Sequence, residues 1–137
     1  ILDGMLLKYG TKKIITAAGP GRYNKTWNIV PSKYLSTTQN NQNVEGLTAE
    51  YFNGIEFGAN PTVKRVDKTI NFHWTISTPD PLITPEFFCA RWTGNIKAPQ
   101  TGTYKIGIEG NDGYKLYINN QLIINNFYNL LTRGYRS

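Results

Sequence analysis

Four stretches between residues 70 and 118 alternate with a period of two: Ile70/Phe72/Trp74, Phe88/Ala90/Trp92, Tyr104/Ile106/Ile108 and Tyr114/Leu116/Ile118. Successive side chains on an extended chain point to opposite faces, so each set lines one side of a strand. The reading predicts strands at Leu47–Phe52, Ile70–Ile76, Phe87–Ile96, Gly102–Glu109, Tyr114–Ile118 and Gln121–Ile124. Short strands at this spacing form antiparallel sandwiches. Asn119-Asn120, between the last two, suits the positive backbone angles of a tight hairpin. Six strands in this length leave an open sheet edge, which folded chains protect. The expectation is that the sandwich is C-terminally incomplete.

The N-terminal part has a different period. Ile1, Leu2, Met5, Leu6 and Tyr9 fall at helical spacings before Gly10, and KKIITAAG, closed by Gly19-Pro20-Gly21, reads as a buried strand. Residues 1–35 are therefore expected to be the incomplete end of an α/β domain. Residues 36–44 begin STTQNNQN, with no apolar and no charged residue, and are expected to be a linker. Residues 45–137 hold the sandwich. The expected fold class is mainly β, an antiparallel β-sandwich preceded by a short α/β flank.

Charge follows the same division. Of 15 Lys and Arg against 9 Asp and Glu, residues 1–43 carry six basic and one acidic, a balance of +5, which leaves +1 for the rest. A near-neutral sandwich does not fit a nucleic-acid partner, because phosphate binding needs clustered cations. No run reaches the roughly 18 apolar residues of a membrane span. Eighteen aromatics beside many Asn and Thr, with 18% charged residues, resemble the composition of secreted or periplasmic β-sandwiches that meet sugars.

Chemistry-bearing patterns are sparse. GPGRYNKT at 19–26 has Asn24 where a phosphate-binding loop needs glycine, and Pro31 bars the helix that would follow. The single Cys89 excludes an internal disulfide and, with only His73 beside it in the composition, offers no zinc set. His73 falls opposite Phe72 and Trp74 and reads as a surface histidine. No Ser lies in a G-x-S-x-G elbow and no carboxylate pair is marked by a motif, so no catalytic residue is expected. Trp74 and Trp92 share the apolar parity and read as core. Two loops remain. Ser77–Glu86 is stiffened by Pro79, Pro81 and Pro85 and carries Asp80 and Glu86; Gly110–Gly113 carries Asn111 and Asp112. The oxygens of Asn111 and Asp112 could accept sugar hydroxyls or coordinate calcium, and Asp-Gly is equally the chemistry of a plain β-turn.

In combination, GLTAEYFNG at 46–54, INFHW at 70–74 and FCARWTGNIKAPQTGTYKIGIEGNDGYKLYINNQLII at 88–124 resemble the protective-antigen-type (PA14) domain. The resemblance implies a β-sandwich that often binds carbohydrate. ILDGMLLKYGTKKIITAAGPG followed by VPSKYL resembles the segment before the PA14 insertion in glycoside hydrolase family 3 enzymes of the β-glucosidase type. That context implies a non-catalytic module that binds a β-linked glucoside or oligosaccharide, or shapes the substrate entrance, with the parent's remaining domains as partners. The family's nucleophilic Asp and acid/base Glu lie before and after such an insertion, so neither carries over. Sugar-binding members hold calcium with two adjacent Asp, which map to Asn111-Asp112; the amide removes one negative charge and weakens that site. Calcium is thus possible and not required. A calcium-dependent lectin or adhesin module and a structural spacer are the competing expectations. Asn111, Asp112, Asp80 and Glu86 are the candidate carbohydrate contacts.

Overall fold

The computed structural model describes residues 28–74, 77–110 and 112–127, with the backbone of 133–136. The expected N-terminal helix and the strand before Gly19 lie outside the described residues, as do Thr75 and Ile76. Within them the chain is mainly β, with one 3-10 turn at Ser32–Tyr34. The strands are β1 (Leu35–Gln39), β2 (Gln42–Glu45), β3 (Leu47–Asn53), β4 (Val63–Asp67), β5 (Phe88–Thr93), β6 (Asn95–Ile96), β7 (Ile106–Glu109), β8 (Lys115–Ile118), β9 (Gln121–Asn125) and β10 (Arg133–Arg136). They pair antiparallel in four small sheets, ordered β2-β1-β6, β4-β3-β5, β10-β7 and β8-β9.

The sheet β4-β3-β5 shows why its residues fold this way. Tyr51 sits between Val63 and Ala90, and Ala49 between Arg65 and Trp92, so Ala49, Tyr51, Val63, Arg65, Asp67, Phe88, Ala90 and Trp92 share one face. Ala49 and Tyr51 are fully buried there, and Ile83 arrives from the loop before β5 to close the cluster. Phe72, Trp74 and Trp92 stack in near-parallel planes, while Tyr51 meets Trp74 and Trp92 edge-on at 6.0 and 5.8 Å. Such pairs contribute about 0.5–1.5 kcal/mol each beyond the area they bury. Both tryptophans therefore belong to the core, as their parity predicts, and His73 is exposed.

On the opposite face Glu50 lies directly between Lys64 and Arg91 and pairs with both, at 3.1 and 2.8 Å. Arg91 also covers the rings of Phe52 and Phe57. Phe52 is consequently buried on a face that its alternation alone assigns to solvent.

Four expectations are corrected. The segment expected to be a linker, 36–44, is instead mostly the β1-β2 hairpin. Asn40 and Asn41 adopt φ of 50° and 60°, the same device as Asn119 and Asn120 at 49° and 63°. Thr37 is buried, and its hydroxyl bonds that of Thr48 on β3 at 2.7 Å. Residues 70–74 form no strand. Period two records an extended backbone, and here the stacked rings hold the segment without a ladder partner. The strand expected from Gly102 starts only at Ile106, because Tyr104 turns its hydroxyl onto its own loop and donates to the Gln100 carbonyl at 2.6 Å. The strand expected over 87–96 is divided at Gly94, where a Cβ would stand 2.6 Å from the Ser36 carbonyl oxygen. That close approach lets the chain leave β3 and pair with β1 as β6.

Candidate functional site

Beneath the β4-β3-β5 sheet lies a buried polar network that alternation alone does not reveal. The Tyr51 hydroxyl donates to Asp67 Oδ2 at 2.5 Å, and Trp92 Nε1 donates to the same oxygen at 3.0 Å. Arg65 Nε donates to Asp67 Oδ1 at 2.7 Å and Nη2 to the Tyr51 oxygen at 3.2 Å. Burial, reinforced by the bond to Asp67, pushes the Tyr51 phenol well above its ordinary pKa, so it stays a donor. Among the described residues no buried side-chain nitrogen or oxygen lacks a partner. The signal in the sequence was Val63-x-Arg65-x-Asp67, two charges on the parity of an inward valine.

The network reaches the loop before β5. Arg65 Nη1 donates to the Pro79 carbonyl at 2.9 Å. Asp80 then builds a turn: its Oδ1 accepts from Leu82 N at 3.0 Å, and its carbonyl accepts from Ile83 N and from the Thr78 hydroxyl. Asp80 is thus consumed by the loop's own geometry. The other half of the loop is tied to the end of β3. Asn53 Nδ2 donates to the Leu82 carbonyl at 3.2 Å, and its Oδ1 accepts from Thr84 N at 2.9 Å. Asn53 is not among the candidates read from the sequence, although Asn53-Gly54 closes the family-like stretch 46–54.

These anchors shape an open hollow of about 710 Å³ lined by Asn53, Gly54, Thr84, Pro85, Glu86 and Phe87. Gly54 N donates to the Phe87 carbonyl at 2.5 Å, and Phe87, 73% exposed as a residue, takes φ of 57°. Positive φ is uncommon for a bulky residue and ends the extended run, which is why β5 begins at Phe88. Glu86 is exposed, and its carboxylate has no partner among the described residues.

The second candidate, the 110–113 turn, is built differently. Asn111 lies outside the described residues. Asp112 is exposed, with φ of 63°. At Gly113 a Cβ would collide with the Phe127 carbonyl oxygen, and Asn126 N donates to the Tyr114 carbonyl at 2.9 Å beside it. Gly113 therefore has a packing reason of its own. Calcium takes six to eight oxygens. Among the described residues no three acidic, His or Cys side chains gather at any point. Asp80, Glu86 and Asp112 therefore form no common acidic cluster.

Burial raises the Cys89 thiol above its ordinary pKa, away from the thiolate a nucleophile needs. Hydrogen bonding from Arg91 holds the Glu50 carboxyl below its usual range, which favours an ion-pair role over proton transfer. Among the described residues, no helix is long and apolar enough to cross a membrane.

Comparison with known proteins supports the reading of the sandwich. The PA14 domain model matches residues 43–129. Over 104 residues, 74% of the chain, the sequence is 34% identical to the anti-sigma-I factor RsgI3 of Acetivibrio thermocellus. The chain spans only 16% of that relative's length. No solved structure matches the chain. With well over half of its residues inside the domain match, the chain belongs to the PA14 domain family.

Proposed function

We propose that the chain is a non-catalytic carbohydrate-binding module acting within a larger protein outside the cytoplasm. The PA14 match over 43–129 carries this reading, since domains of this family are typically non-catalytic and commonly bind carbohydrate. The open hollow at the tip of β3, with an exposed ring beside a carboxylate, is a surface of the kind that saccharides use. Calcium is not required in this reading, because Asn111-Asp112 offers one carboxylate where calcium-binding members have two.

For the parent we propose a family 3 glycoside hydrolase of the β-glucosidase type, supported by the resemblance of residues 1–35 and not by the domain match. Residues 45 onward would then shape the substrate entrance through the 77–87 loop, and the partners would be β-linked glucosides and the parent's catalytic domains. The relative RsgI3, an anti-sigma-I factor, favours a second reading in which the same module serves a regulatory protein. Deleting residues 45 onward from the intact parent separates the two. A hydrolase parent retains aryl β-glucoside hydrolysis and changes its chain-length preference, whereas a parent with no glycosidase activity supports the regulatory reading.

A further inference from the structure

We propose that the saccharide site of this chain is the hollow at Asn53–Phe87, with Phe87 as the stacking platform for a hexopyranose ring and Glu86 as the acceptor of its hydroxyls. The inference rests on the carbohydrate-binding reading above and adds to it the location and the independence from calcium.

Three observations converge. First, Phe87 is the most exposed large hydrophobic among the described residues, at 73%. A free phenyl face can bury the apolar C–H side of a pyranose. Second, that exposure is enforced. Phe87 sits at φ of 57°, a conformation that a bulky side chain keeps only when its surroundings over-determine it. The surroundings are explicit: Gly54 N holds the Phe87 carbonyl, Asn53 holds Leu82 and Thr84, and Ile83 plugs the core beneath. Backbone strain held in place by this many contacts marks positions where a side chain is presented rather than packed.

Third, the polar groups around the ring divide cleanly. The amide of Asn53 and the hydroxyl of Thr84 are occupied with the loop, the latter also 2.9 Å from the Glu86 carbonyl. Glu86 alone offers an uncommitted side chain, and a carboxylate accepts from two neighbouring hydroxyls at once. One face of apolar carbon beside one bidentate acceptor fits a neutral hexose. The hollow lies within the roughly 300–1,000 Å³ of small-ligand sites.

The test is a glycan array followed by calorimetric titration of the full chain with its best array ligand, in buffer containing a chelator. Phe87→Ala is expected to weaken binding about tenfold and Phe87→Trp to retain it, because any aromatic face serves the stacking role. Glu86→Gln is expected to weaken binding a few-fold, and Asp112→Ala with chelator to leave it within about twofold. Retention of affinity by Phe87→Ala, with loss on Asp112→Ala or chelation, overturns this site while leaving the carbohydrate-binding function standing. If the unmodified chain binds no glycan on the array, with or without calcium, both readings fall. Phe87→Trp keeps the test informative should the alanine variant relax the loop, since a spacer role predicts no affinity for either.

Discussion

The 77–87 loop and the 110–113 turn both carry acidic residues at the ends of strands, yet they are held by opposite means. The first is tied to the core by side chains: Arg65 grips Pro79, Asn53 grips Leu82 and Thr84, and Ile83 is buried. The second is fixed at Gly113 by a close backbone approach to Phe127. A loop whose polar atoms are mostly spent on its own geometry presents what is left, Glu86 and Phe87, in one defined arrangement. A turn fixed by its backbone leaves Asp112 on the surface, with no acidic cluster around it among the described residues. Sequence position near a strand end does not separate these cases; the partners of each side chain do.

The comparison breaks most severely at Asp67. Replacing it with Ala removes the shared acceptor of the Tyr51 hydroxyl and the Trp92 indole N–H and one of the bonds of the half-buried Arg65 guanidinium, which keeps the Pro79 carbonyl; a loss of about 2–4 kcal/mol is expected. Denaturant unfolding of Asp67→Ala measures it. Loss of under about 1 kcal/mol would mean that the network does not hold the sheet.

Asn53→Ala should act more locally, destabilising by about 1–3 kcal/mol through the orphaned loop groups. Amide exchange is expected to accelerate at Leu82, Thr84 and Phe87 and to stay unchanged at Asp112 and Gly113. Equal acceleration in both regions would erase the distinction between them.

The smallest effect concerns Glu50, on the outer face of the same sheet. Hydrogen bonding from Arg91 lowers its pKa from 4.5, with Lys64 assisting, so the folded state binds its proton less readily than the unfolded chain. Its contribution is therefore complete above the ordinary carboxylate value and is lost as pH falls through the lower folded value. Because Arg91 and Lys64 are exposed, Glu50→Gln should remove less than about 1 kcal/mol at neutral pH and flatten the acid limb of the stability profile. An unchanged acid limb would contradict the pairing.

Much of this architecture was legible because period-two alternation reports which side chains face inward. It located β3, β5, β8 and β9 and assigned Trp74 and Trp92 to the core. It failed where burial is polar. The stretch Leu35–Glu45 hides a hairpin among Thr, Gln and Asn, although Asn40-Asn41 repeats the turn signal recognised at Asn119-Asn120. Val63–Asp67 escaped notice because Arg65 and Asp67 look like surface charges until Tyr51 and Trp92 are placed against them. For the candidate site, proline spacing marked the loop that borders the hollow at Asn53–Phe87. The division of labour between Asp80, spent on a turn, and Glu86, left free, depends on hydrogen bonds within the folded loop and on Asn53, about thirty residues away.

The most direct test of the account is an amide chemical-shift map of the full chain titrated with its best array glycan in the presence of a chelator. The account predicts perturbations concentrated at Asn53, Gly54, Thr84, Glu86 and Phe87, with the 110–114 amides unmoved. Perturbations centred on 110–114, or none at saturating glycan, would contradict it.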